Sequence, residues 1–354
     1  MSHLIHSRRR FMQMGAALGV GTLAAGAASA APRAAADAPR RPKRLAEGAT
    51  IGLVAPASNA GEDEEIRFAA DVVASLGFRL KMGKHLFKRR HYLAGDDADR
   101  AADLNAMFAD DSVDGIFALR GGYGCARILP LLDYDMIAAH PKVLMGYSDI
   151  TALLAAITGR CGFTTFHGPI ARQNFSDYTL AEFRKVLMQP EAPVVIGAPP
   201  PFEGRPGLVE KTNRITRFHP GRARGPLMGG NLSLLVRLLG TPYEPDFRGR
   251  ILLLEDVNEE PYRIDGMLTH LWLAGKLQQA AAVVFGKFTD CESEGGNSFS
   301  IEEVIAQRCL PLKVPCMRGL MMGHVEDQTV VPIGAEAELD VEAGTLTLLQ
   351  PAVT

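Results

Sequence analysis

Cysteine is scarce in this 354-residue chain: there are five, and no two stand as C-x-x-C. That excludes a thioredoxin-type motif and a zinc ribbon, and an odd number in an exported protein leaves at least one thiol unpaired. Cys309 and Cys316 remain open to pairing. Charge of one sign is also lacking. The formal net charge is −2, from 38 basic and 40 acidic residues, which argues against nucleic acid as the main partner because such surfaces are strongly basic. No H-E-x-x-H or similar spacing exists, so a zinc hydrolase using His324 lacks its companion ligands. No Gly-Lys-Ser/Thr closes a glycine-rich loop and no G-x-G-x-x-G occurs, so P-loop and dinucleotide fingerprints are missing. There are no internal repeats. What remains, 47% hydrophobic and 22% charged, is ordinary globular composition. The length exceeds the usual limit of a single core and predicts two domains.

Acidic residues are absent from the first thirty positions. Ser7-Arg8-Arg9-Arg10-Phe11-Met12 precedes an apolar run over 14–28, and Ala28-Ser29-Ala30 offers small residues at a cleavage site. This pattern predicts a signal peptide over 1–30, and the paired arginines predict the twin-arginine route to the periplasm. The run is too short and too rich in Gly and Ala for a stable membrane span. Without it the chain carries 35 basic and 40 acidic residues. Residues 31–47, with Pro32, Pro39, Pro42 and a set of Arg and Lys, read as a solvated basic tether.

The rest predicts an α/β fold. Short buried-type strands at 50–56, 113–119 and 142–147 alternate with helical spacing at 62–76, 97–108, 127–132 and 150–157. Gly77 closes the first helix as a C′ residue would. Residues 48–170 therefore form an N-terminal domain built on a parallel sheet. Residues 171–224 are rich in proline and weak in periodicity, and read as a connecting segment. A second unit, 225–354, has helices at 231–239 and 262–274, strands at 251–254 and 281–285, and a terminal hairpin near 335–349.

Four features carry chemistry. In Gly146-Tyr147-Ser148-Asp149-Ile150 a strand turns sharply into a helix, the layout of a nucleophile elbow, with helix N–H groups free for an oxyanion. The second glycine of G-x-S-x-G is Ile150 here, and an N-cap role for Ser148 competes. The loop Arg120-Gly121-Gly122-Tyr123-Gly124 after a strand fits a phosphate cradle, an oxyanion hole or a plain tight turn. A serine nucleophile needs a base and an orienting acid. His324, flanked by Gly323, is the leading base and His167 the second choice; His270, mid-helix beside Trp272, reads as a packing residue. Glu255, ending a buried strand, is the leading acid because an unpaired carboxylate there is expensive. Asp256 is the neighbouring alternative.

Taken in order, R-G-G-Y-G at 120–124, G-Y-S-D-I-T at 146–151, G-G-N-L-S at 229–233, L-L-E-D at 253–256 and G-H at 323–324 resemble the LD-carboxypeptidases, also called muramoyltetrapeptide carboxypeptidases. The resemblance covers essentially everything after residue 48. It implies a flavodoxin- or Rossmann-like N-terminal domain carrying the elbow, and a second α/β (α+β) domain supplying acid and base across a cleft. It implies Ser148 as nucleophile, Glu255 as acid, His324 as base, and backbone N–H groups of Gly122 and Asp149 as oxyanion hole. It implies hydrolysis, through an acyl-enzyme, of the amide between the L-centre of a diamino acid and a terminal D-alanine of murein tetrapeptides, with no metal or organic cofactor and with a homodimer as the expected assembly. Arg120 is a candidate for a substrate carboxylate or a structural ion pair, and Asn231 for substrate orientation or a helix N-cap. Two rival readings stand beside it: a microcin-immunity-type hydrolase of aminoacyl or peptidyl adenylate analogues, and a non-catalytic periplasmic binder of wall peptides. Export departs from the better-known members of the family, which look cytoplasmic.

Overall fold

Strands with apolar side chains on both faces need cover on both sides, and in the computed structural model that need organises the chain. The structure describes residues 39–293 and 295–354. The expected signal peptide lies outside the described residues, as does the first part of the expected tether. The elements run β1 (Thr50–Val54), α1 (Asp63–Ser75), β2 (Arg79–Met82), α2 (Asp97–Ala109), β3 (Gly115–Ala118), α3 (Cys125–Ile128), α4 (Tyr134–Ala139), β4 (Val143–Gly146), α5 (Thr151–Cys161) and β5 (Thr165–His167). Then follow α6 (Asp177–Phe183), β6 (Val194–Ile196), β7 (Thr216–His219), β8 (Arg222–Asn231), α7 (Leu232–Leu238), β9 (Ile251–Val257), α8 (Pro261–Leu273), β10 (Ala282–Thr289), α9 (Ile301–Cys309), β11 (Cys316–Arg318), β12 (Val331–Ile333), β13 (Glu336–Asp340) and β14 (Thr345–Leu348).

The first sheet has the order β2-β1-β3-β4-β5-β12, parallel except for β12. The 2-1-3-4-5 order is flavodoxin-like, and such sheets bind ligands at the carboxyl ends of their strands near the β1/β3 switch point. Gly77 follows α1 with φ +88°, its N–H bonded to the Ala74 carbonyl at 3.0 Å, as a C′ glycine should. The second sheet has the order β6-β14-β13-β8-β9-β10-β11-β7, with β8 to β11 parallel.

Three expectations change. Residues 40–47 are laid onto the body instead of being solvated: Arg40 N–H donates to Gly162 O and Arg44 N–H to Thr354 O, both at 2.9 Å, and Leu45 is fully buried. The segment 171–224 does more than connect, since β6 and β7 from it form the two edges of the second sheet. His270 is exposed on α8 and does not pack inside, and Trp272 is exposed with it. One apolar cluster runs through both sheets, joining Leu53, Phe117 and Met145 to Leu253, Val284 and Leu339.

Candidate active site

At the end of β4 the chain enters Ser148 with φ +63°. A left-handed conformation costs a residue with a Cβ about 1–2 kcal/mol and persists only where the surroundings enforce it. Just before it, the chain packs tightly at Gly146, where an added Cβ would meet Ile150 Cγ1 at 3.0 Å and Ala118 Cβ at 3.1 Å. Gly146 is thus required by close packing of strand on helix, not by a positive φ. A short 3₁₀ turn, Ser148–Ile150, leads into α5. Neither this turn nor α5 is capped by a side chain, so the Ser148 hydroxyl is not an N-cap. It stands half-buried, free of that duty.

The glycine loop after β3 lies against the elbow. A Cβ on Gly121 would be 2.8 Å from Ser148 Cβ, 3.0 Å from its Oγ and 3.3 Å from the Asp149 N. Gly122 follows with φ +110° and packs on Ser58, whose Oγ accepts the Tyr123 N–H at 3.1 Å. The buried Asp149 carboxylate accepts the Cys125 N–H at 2.7 Å, pinning the far end of the loop to the elbow. Burial pushes that carboxyl up, and the Cys125 N–H bond opposes the shift. Gly121 and the Asp149 side chain escaped the sequence reading. The density of glycine in R-G-G-Y-G was the signal for the first; nothing local pointed to the second.

The acid and base come from the second sheet. Glu255 sits inside β9, not at its end, because β9 continues to Val257. Its carboxylate is fully buried, and His324 Nδ1 donates to its Oε2 at 2.8 Å. Oε1 has no partner among the described residues. Burial pushes the Glu255 carboxyl up, and the hydrogen bond and charge of His324 pull it back. With Nδ1 bonded to the carboxylate, Nε2 is the nitrogen left to take a proton. The imidazole is 19% exposed. Gly323 is obligatory: its φ is +119°, and a Cβ there would stand 2.9 Å from Glu255 Oε2. The His324 carbonyl accepts from Thr289 Oγ1 at 2.9 Å, and Gln328 Nε2 donates to the Gly323 carbonyl.

Asp256 points the other way. It accepts Ser233 N–H at 3.0 Å, Ser233 Oγ–H at 2.8 Å and Asn231 Nδ2–H at 3.0 Å. Asn231 is the N-cap of α7, its Oδ1 accepting the Leu234 N–H at 3.3 Å. Its side chain is buried and committed to the scaffold rather than turned to a substrate. The Asn231 N–H donates to Thr151 Oγ1 at 3.0 Å, and Asn231 pairs in register with Glu255. The first turn of α5, three residues past Ser148, is thereby fixed to the strands that carry the acid.

The Tyr147 ring stands edge-on to the His324 imidazole with centroids 4.8 Å apart. No hydrogen bond joins Ser148 to His324 among the described residues. His167, the second-choice base, is fully buried at the end of β5 with neither ring nitrogen partnered among the described residues. Burial and the nearby His324 push its pKa down to about 3. Among the described residues no carboxylate orients it, and the lowered pKa holds it neutral. Arg120 donates from Nη1 to the Asn59 carbonyl at 3.1 Å.

Residues 51–168 match the LD-carboxypeptidase N-terminal domain, and residues 224–339 match the LD-carboxypeptidase C-terminal domain. The chain is 37% identical over 314 residues to a probable murein peptide carboxypeptidase of Bacillus subtilis, covering 87% of this chain and 94% of that protein. A crystal structure of muramoyltetrapeptide carboxypeptidase from Oxalobacter formigenes is similar at a TM-score of 0.72 and 29% identity, covering 84% of this chain and 97% of that one. The microcin C7 self-immunity protein MccF of Escherichia coli is 27% identical over 328 residues, covering 86% of this chain and 94% of that protein. MccF in complex with glutamyl sulfamoyl guanosine gives a TM-score of 0.81 at 25% identity, over 89% of this chain and 100% of that one.

Proposed function

This chain belongs to the LD-carboxypeptidase family, and we propose that it hydrolyses the amide between the L-centre of a diamino acid and the terminal D-alanine of murein tetrapeptides through an acyl-enzyme on Ser148. Two of its relatives are named for carboxypeptidase action on murein peptides, the probable murein peptide carboxypeptidase of Bacillus subtilis and a murein tetrapeptide carboxypeptidase of Pseudomonas aeruginosa. The observation that carries the finer reading is the 2.8 Å bond between His324 and the buried Glu255, the imidazole lying 4.8 Å from the ring of Tyr147, whose next residue is a serine held at φ +63°.

His324 Nε2 takes the Ser148 proton as Oγ attacks the scissile carbonyl, and Glu255 stabilises the imidazolium that forms. The N–H groups of Gly122 and Asp149 receive the tetrahedral oxyanion; losing one such donor typically costs about 100- to 1,000-fold in rate. The protonated His324 then gives its proton to the leaving D-alanine nitrogen. Water, deprotonated by the same imidazole, hydrolyses the ester and restores the serine.

Export belongs to the same reading: Arg8, Arg9 and Arg10 before an apolar run support the twin-arginine route, and a periplasmic enzyme meets wall peptides directly. The likeness to MccF favours one alternative, cleavage of aminoacyl adenylate analogues. The test offers purified protein a disaccharide tetrapeptide, the corresponding pentapeptide ending in D-alanyl-D-alanine, and an aminoacyl sulfamoyl adenosine. Mass spectrometry is expected to find D-alanine released from the tetrapeptide alone, with lysine- and diaminopimelate-type stems compared in parallel. Cleavage of the adenosine analogue without any release of D-alanine would replace this reading with the alternative.

A further inference from the structure

A carboxypeptidase must recognise a free terminal carboxylate, and the groups assigned so far to acyl transfer include no cation. Two arginines lie side by side at the carboxyl edge of the first sheet. The segment after β5 runs along the end of β3, with Ala171 N–H donating to Ala118 O at 2.9 Å and Arg172 N–H to Leu119 O at 3.2 Å. That pairing sets Arg172 beside Arg120, whose next residue, Gly121, touches Ser148. Arg172 forms an ion pair with Glu65 of α1. Arg120 forms none among the described residues. Its Nη1 holds the Asn59 carbonyl, and its Nε is buried without a partner there. Glu65 pairs with Arg172 and only its longer-range charge reaches Arg120, so no carboxylate among the described residues pairs with the second guanidinium. Burial and the neighbouring Arg172 charge push the Arg120 guanidinium down, with the Glu65 charge opposing them. An anion arriving between the two would relieve that strain.

We propose that Arg120 and Arg172 form the subsite for the terminal carboxylate of the peptide, with Glu65 holding Arg172 in place. The inference rests on the carboxypeptidase reading and adds to it what selects a chain end. The substrate's own dimensions call for a cation near the elbow: a single residue spans only about 3.5 Å, so the carboxylate of a terminal D-alanine lies within one residue of the carbonyl attacked by Ser148. A guanidinium pair offers paired donors to both carboxylate oxygens, and a site built for such bonds rejects a ligand that lacks the acceptor charge. Arg172 and Glu65 were not singled out in the sequence because their side chains meet the site only after α1 and the β5 loop converge on one sheet edge.

The experiment compares release of D-alanine from the tetrapeptide with release of D-alaninamide from its C-terminal amide, by the full-length protein and by Arg172→Met, Arg172→Lys and Arg120→Met. Amidation removes only the terminal carboxylate. A role toward the second carboxylate of a diaminopimelate stem would leave the acid-to-amide ratio untouched and would overturn the proposal. The native protein is expected to favour the acid by about 100-fold in kcat/KM or more. In Arg172→Met that preference is expected to shrink by about 10-fold or more, through KM on the acid, at an unchanged melting temperature, with Arg172→Lys retaining part of it. Should Arg120→Met fail to fold, Arg172→Met carries the test alone. A full preference surviving in a folded Arg172→Met, or no preference in the native protein, would overturn this inference while leaving the carboxypeptidase reading intact. If the native protein releases no D-alanine from the acid, the underlying reading fails first and this one with it.

Discussion

A buried carboxylate hydrogen-bonded to a histidine makes a sharp prediction about Glu255. Replacing it with glutamine keeps shape and a hydrogen bond to Nδ1 but removes the charge that stabilises the imidazolium. Glu255→Gln is expected to lower kcat by about 1,000-fold or more with little change in KM. The melting temperature should hold, since burial already disfavours the charged form. A variant that retains native kcat would remove Glu255 from the mechanism. His167 predicts a pH effect on stability. In the fold its pKa is pushed down to about 3, whereas in the unfolded chain it lies near 6.5, so protons bind the unfolded state preferentially between those values. Its contribution is full above about pH 6.5 and is lost as pH falls toward about 3, at about 1.4 kcal/mol per pH unit. Chemical denaturation at pH 7 and pH 5 is expected to show the native protein losing about 2 kcal/mol more than His167→Phe; equal losses would contradict this. At this scale the chemistry was legible and the supports were not. Ser148, Glu255 and His324 were candidates by type and by their glycine or strand neighbours, with an N-cap role, Asp256 and His167 as competitors, and it was the run of motifs in family order that singled them out. Gly121, the Asp149 carboxylate and Tyr147 act through contacts made across the fold, which no local pattern encodes.

Among the elements, the legible ones were those whose pattern is set by burial on both faces. β1, β3 and β4 read as short apolar runs, and the helices between them as 3.6-residue spacing. The edges were harder. β2 is mostly exposed and carries no alternation, and β6 and β7 lie in a proline-rich stretch at the margins of the second sheet, where half the surface need not be apolar. The length of β9 was underestimated because Glu255 and Asp256 are polar, yet both are buried and partnered. Asp256 ties that strand to the start of α7 through Asn231 and Ser233. Asp256→Ala removes four accepted hydrogen bonds, the fourth from the neighbouring Val257 N–H, and leaves buried donors unpaired, a loss of about 2–4 kcal/mol. Urea denaturation measures it, and a loss below about 0.5 kcal/mol would show the network to be dispensable.

For the whole molecule, length predicted two units, and the structure binds them more closely than a pair of beads on a linker. The strand β12 comes from beyond His324 and pairs with β5 of the first sheet. The loop that carries His324 is clamped to α6, with Ser176 Oγ–H donating to Asp327 at 2.6 Å, Thr179 Oγ1–H to the Glu326 carbonyl at 2.9 Å, and Thr329 Oγ1–H to Glu182 at 2.6 Å. This interlocking was invisible in the sequence, since it joins residues about 150 positions apart and each partner looks like an ordinary polar surface residue. It also gives the catalytic reading its physical basis: a nucleophile on one sheet and an acid–base pair on the other act together only if the two are held in register. The most direct test is therefore the rate of D-alanine release from a murein tetrapeptide by the native protein and by Ser148→Ala, measured under single-turnover conditions. The account predicts release by the native protein and a loss of at least about 10,000-fold in the variant; release by Ser148→Ala at the native rate would contradict it.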